Sequence, residues 1–296
     1  MPGRGDITHV PLPGFTGTKA ERTRYEMEKS VRSGRSSERG VERRPVQEEE
    51  EMDFQNVLAD LWYGVVKPVL DFLGYMNNVD TTTSNMPHIT WCPTGAISFL
   101  PLHAAGDYSK PRSRVFDYVI SSYTPTLTAL LASSPTTLGL DSRVLVVGQE
   151  ATPGHRPLPG TSKELASVDP TDSGFFLHDG TLDLASINRR SFKNKGLAFL
   201  SACQTATGDE KLPDESIHLA SGMLMAGYSS VIATMWSVYD EDAPVVADKV
   251  YAQLVRDGKV GNGETGKALH NAVAELREKV GEKEFSRWVP YIHMGS

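Results

Sequence analysis

GLAFLSACQTATGD, residues 196–209, opens on a short apolar run and passes at once into small and polar residues. A run of that length with turn-forming residues behind it reads as a fully buried strand ending in a loop. RVLVVG at 143–148 and SVIATM at 230–235 repeat the pattern. Between and around them lie stretches with helical spacing: 126–132, 162–168, 217–225, a helix opened by Asp242-Ala-Pro244, and 264–280. Strands alternating with helices predict an α/β fold with a mainly parallel sheet.

Upstream, Phe54, Val57, Leu58, Leu61, Trp62, Val65, Val66, Val69 and Leu70 recur at steps of three and four and predict one amphipathic helix. Pro68 inside that pattern is expected to kink or restart it. HITWCPTGAISFLPLHAA, 88–105, alternates around Pro93-Thr94-Gly95 and predicts two strands joined by a tight turn; 115–121 predicts another strand. Residues 1–52 differ in kind. They are dense in charge, with four successive glutamates at 48–51, and are expected to form a partly mobile appendage with a solvated helix near 18–33.

The balance of 30 Lys plus Arg against 37 Asp plus Glu, net −7, argues against a nucleic-acid binder. No segment has eighteen consecutive apolar residues, and MPGRGDITHV lacks the apolar stretch of a signal peptide, so no membrane association is expected. Two cysteines, Cys92 and Cys203, cannot form a disulfide framework, which fits a reducing, cytoplasmic setting. Cys92 with His88 and His103 lacks the spacing of a zinc site, and GNGETGKAL (261–269) lacks the Ser or Thr that follows Gly-Lys in a phosphate loop. No cofactor and no metal are expected.

Cys203 lies just past the carboxyl end of a strand expected to be central. Ligands and reactive groups collect at that edge of an open α/β sheet, because the loops there form the crevice. The plain alternative is a buried thiol acting as a small hydrophobe.

LSACQTATGD (200–209), with HLASGMLMAGYSSVIATMWSVYD (218–240) behind it, resembles the C-terminal half of CHAT domains, caspase-like modules related to caspases and separase. LADLWYGVVKPVLDFLG, ITWCPTGAISFLPLHAAG, SSYTPTLTALL, VLVVG, LPGTSKEL, LHDGTLDLASI and WVPYIHMG follow the family in order, so the resemblance spans roughly 53–296. It implies a caspase–haemoglobinase-like three-layer α/β sandwich and makes Cys203 the nucleophile of a cysteine peptidase, attacking a peptide carbonyl to give an acyl-enzyme. It also implies a histidine base on a strand between LPGTSKEL and LHDGTLDL. Here ASVDPTDSG, 166–174, joins those motifs directly, with no His between His155 and His178. A deletion near 168–170 is the expectation.

Of the remaining histidines, His155 is the first substitute base, because its loop follows a neighbouring strand; His103, His178 and His218 read as structural. Trp236 and Asp240 follow the strand next to Cys203 and are candidates for the wall of a peptide pocket. The expectation is a protein of cysteine-endopeptidase descent with hydrolysis impaired or absent, acting on a protein or peptide. The competing reading is a non-catalytic protein-interaction module in a regulatory or stress and cell-death type of pathway. Oligomeric state is left open.

Overall fold

The computed structural model describes residues 7–37, 46–77, 86–132, 143–147, 195–200, 220–236, 238–257 and 264–295. The chain divides into two compact units, Met1–Ile89 with Thr94–Ile120, and Thr90–Pro93 with Ser121–Ser296.

The first unit is helical. α1 (Gly17–Ser37) packs on α2 (Val46–Leu61), which continues through a π-helical turn, Trp62–Val66, into α3 (Lys67–Leu73). The expected solvated helix is present, but one of its faces is not solvated. Ala20, Thr23, Met27 and Ser30, at steps of three and four, are buried. Small residues and two short hydroxyls make up most of that stripe, so a charged sequence hides its inner face. Lys19 Nζ adds an ion pair to Asp60 at 2.8 Å.

The nine-residue apolar pattern of 54–70 is buried except at Val69, which is half-buried. Pro68 restarts the helix as expected, and the means is the π turn. The Lys67 N–H reaches back five residues to the Trp62 carbonyl, and the proline then falls in the first turn of α3, where its missing N–H costs nothing. Beyond α3 the unit is built of 3₁₀ turns at Gly95–Phe99, Leu102–Ala104 and Val115–Asp117. Asp107 sits among them as a hub. Its carboxylate accepts Tyr63 Oη at 2.6 Å and Ser109 Oγ at 2.5 Å, and pairs with Lys110 Nζ at 2.8 Å.

The described strands form a six-stranded sheet, of which β3 to β6 lie wholly in the second unit, in the order β1-β2-β6-β5-β4-β3: β1 His88–Trp91, β2 Ile120–Tyr123, β3 Arg143–Val147, β4 Lys195–Leu200, β5 Ser230–Thr234 and β6 Tyr291–Gly295. β3, β4 and β5 run parallel to one another; β6 is antiparallel to β5 and parallel to β2. The fold is α/β with a mixed, mostly parallel sheet, as the alternation of apolar runs and helical stretches implies. β5 and β6 are buried throughout, and so is β4 from Gly196 to Leu200, which is why they read as unbroken apolar runs.

Two strand expectations are corrected. The second arm of the hairpin, 95–99, is a 3₁₀ turn entered through Gly95 at φ +63°, and β1 bonds β2 instead, through Ile120 N–H to the Pro87 carbonyl and Thr124 N–H to the Trp91 carbonyl, both 2.8 Å. The strand expected at 115–121 begins only at Ile120. The Asp117 carboxylate accepts the Arg114 N–H at 3.1 Å and closes a 3₁₀ turn over the preceding residues. Helices are found where expected at α4 (Leu127–Ala132), at 220–225, at α5 (Ala243–Asp257) and at α6 (Glu264–Val280); α7 (Phe285–Trp288) leads into β6. The helix expected at 162–168 and the joint at 166–174 lie outside the described residues.

β6 is locked in register. His293, 1% exposed, holds Ser122 Oγ of β2 at 2.5 Å from Nδ1 and Ser230 Oγ of β5 at 2.6 Å from Nε2. Gly295, at φ +130°, lies so close to the Ser229 carbonyl that a Cβ would overlap its oxygen. Among the described residues no helix is long and apolar enough to cross a membrane.

Candidate active site

Because β3, β4 and β5 are parallel neighbours, the chain leaves all three at one edge of the sheet, after Val147, Leu200 and Thr234. Cys203 follows Leu200 by three positions, and the loop bearing His155 follows Val147. Both residues lie outside the described residues, as do His178 and His218, so what is established is the strand that precedes each. Trp236 and Asp240 follow β5 and are described. Trp236 is buried, 8% exposed, and Asp240 is half-buried in the turn ahead of α5. The burial of Trp236 suits a packing role for most of its ring.

The same edge receives the chain from the other direction. β6 runs antiparallel to β5, with Thr234 opposite Tyr291 and the Met235 N–H on the Pro290 carbonyl at 2.8 Å. The residues just before β6 therefore arrive where β5 ends. Arg287 of α7 uses this to make a fork on Asp242, Nε to Oδ2 at 2.6 Å and Nη2 to Oδ1 at 2.5 Å, and Nη2 also reaches Glu241 Oε1 at 2.5 Å. Its guanidinium lies 5.2 Å from the Tyr239 ring centroid. Asp242 is wholly buried, and its hydrogen bond holds the Arg287 guanidinium above the usual arginine range. Asp242 thus opens α5 as its sequence position suggests, but its carboxylate is committed to Arg287. Arg287 is the site-edge residue that the sequence did not flag.

The other sequence candidates do not converge. Cys92 is a free thiol, half-buried after β1. His88 is on β1, where burial pushes its imidazole below the usual histidine range. His103 lies in the 3₁₀ turn Leu102–Ala104. Among the described residues no group of three His, Cys, Asp or Glu side chains gathers as a metal set.

β3 pairs directly with β4 over five positions, Arg143 with Lys195 through Val147 with Leu200, and the register shifts between Arg143 and Val144. No strand stands between them. No curated protein matches the chain. The family model of the CHAT domain matches residues 166–296, a span that holds Cys203, Trp236, Asp240 and Arg287 together with strands β4, β5 and β6. Over residues 166–296 the chain is thus similar to the CHAT domain, a module of caspase-like peptidase descent.

Proposed function

We propose that this chain is a cysteine-endopeptidase descendant whose nucleophile is Cys203 and whose hydrolysis is impaired or absent because the histidine-bearing strand is lacking. The observation that carries the reading is the direct pairing of β3 with β4. The motifs flanking the joint at 168–170 imply a strand there in complete relatives, and the irregular register at Arg143/Val144 is what bringing two former non-neighbours together would produce. The family match begins at residue 166, beside that joint. The CHAT-like region extends upstream of the match to about residue 53. Support comes from the sheet itself, since β4 and β6 within the matched span hydrogen-bond β3 and β2 outside it. The setting is cytoplasmic and the ligand a protein or peptide.

A thiol near pKa ~8.5 is mostly protonated at neutral pH unless a base or a positive neighbour ionises it. General-base assistance is worth roughly 10²–10⁴ in rate, and a catalytic set acts as a unit, so losing one member forfeits most of the effect. The expected result is turnover of a mixed peptide library barely above background, little changed in Cys203→Ala. Inserting a His-containing strand between Val168 and Asp169 should raise turnover, and Cys203→Ala should then abolish it. Alkylation of Cys203 followed against pH is the companion measurement. A thiol titrating well below neutrality with Cys203-dependent turnover would overturn the reading and make His155 the first position to substitute.

A further inference from the structure

We infer that Arg287 is a positioning residue for a peptide-binding corner built on the turn 239–242 at the carboxyl end of β5. The inference rests on the reading of Cys203 as the nucleophile of a peptidase descendant, which makes this edge the one a peptide would lie along. The backbone of the turn is closed by the Asp242 N–H on the Tyr239 carbonyl at 3.0 Å, with the Ala243 N–H on the same oxygen at 3.3 Å. The Val246 N–H reaches the Asp242 carbonyl at 3.1 Å, and one side chain from α7 adds contacts across the turn. Arg287 takes both oxygens of Asp242, one of Glu241, and the face of Tyr239, thereby contacting three of the four turn residues.

The donor is fixed in its turn. α7 is pinned by Trp288, whose indole N–H donates to the Glu282 carbonyl at 3.0 Å and whose ring lies 5.3 Å from the Arg277 guanidinium. Asp242 is at zero exposure, and the fork gives both of its carboxylate oxygens a partner. Lysine cannot reproduce that geometry, because it offers one charge centre in place of a planar pair of N–H groups. Asp240 sits in the same turn between the clamped residues, and Trp236 lies just upstream. Arg287 thus fixes the residues on both sides of Asp240 without needing to touch a ligand itself.

The test compares two alkylating reagents on Cys203, in a Cys92→Ser background so that one thiol remains. Iodoacetamide carries no peptide; Ala-Ala-Phe chloromethyl ketone carries a tripeptide. In each the Cys203 thiolate forms a thioether and expels halide, its proton having passed to buffer. Each rate is divided by that of glutathione with the same reagent, at about pH 8.5 where the thiol ionises unaided. The unsubstituted chain is expected to favour the peptidyl reagent by about tenfold after this correction. Arg287→Gln should erase that preference while changing the iodoacetamide rate less than about twofold, since misplacing a binding wall by an ångström costs factors of ten or more. Arg287→Lys should recover part of it, and Lys249→Gln, which breaks an exposed pair with Glu275 elsewhere in this unit, should leave it intact.

A preference that survives in a folded Arg287→Gln protein, or a loss shared equally by both reagents, overturns the positioning role. If Arg287→Gln does not fold, Arg287→Lys decides by the same ratio. No preference in the unsubstituted chain instead removes the peptide-binding reading, and the inference with it.

Discussion

Asp107 shows how much one buried carboxylate organises. Tyr63, Ser109 and Lys110 all donate to it, and these hydrogen bonds, that from Lys110 foremost, hold it well below the usual carboxylate range. A folded-state pKa below the unfolded value of ~3.9 means stability that is complete above about pH 4 and lost as pH falls further. Asp107→Asn is expected to lower stability by roughly 1–3 kcal/mol at pH 7, with the difference shrinking below about pH 4 in thermal melts. His88 gives a second window of the same sign. Burial lowers its folded pKa, so its contribution is present above about 6.5 and fades as pH falls below that. Between pH 8 and 5 the loss in Tm should be smaller in His88→Gln than in the unsubstituted protein. Cys203 stands out as a candidate at this scale because it follows an apolar run within a recognisable motif, but it lies outside the described residues. Arg287 was not, because its partner Asp242 is 45 positions away and a charge pair leaves no periodic trace in a sequence.

α1 marks where periodicity stops informing. Its buried stripe contains two hydroxyl residues and only one large apolar side chain, Met27, so the helix reads as solvated although it is docked. Met27→Ala should cost about 2–4 kcal/mol in denaturant unfolding, whereas Tyr25→Ala, on a residue 68% exposed, should stay within about 0.5 kcal/mol. If both are neutral, the helix is not docked. The helices 127–132 and 264–280 were legible because their apolar positions repeat every three or four residues, and Pro68 announced its restart. The hairpin at 88–100 failed for a local reason. Alternation in ISFLPL is equally compatible with a 3₁₀ turn, and Gly95 at positive φ selects the turn.

At the scale of the molecule, the parallel trio β3, β4, β5 was readable from three apolar runs, but the neighbours that finish the sheet were not. The closing WVPYIHMG carries a strand that enters between β2 and β5, a placement no local pattern encodes. Gly295→Ala tests how much the sheet depends on it. Positive φ and the Ser229 carbonyl together leave no room for a methyl group, and a loss of about 2 kcal/mol or more is expected in thermal or denaturant unfolding. The position of β6 also governs the timing of folding. It follows the other five strands in sequence yet stands between β2 and β5, and Ser122 and His293, which meet through it, are 171 residues apart. During synthesis the earlier strands emerge with two interior edges open, each a row of unpaired N–H and C=O groups able to capture another chain. Closure of so long a loop is entropically slow, so the nascent protein spends its most adhesive interval waiting for β6.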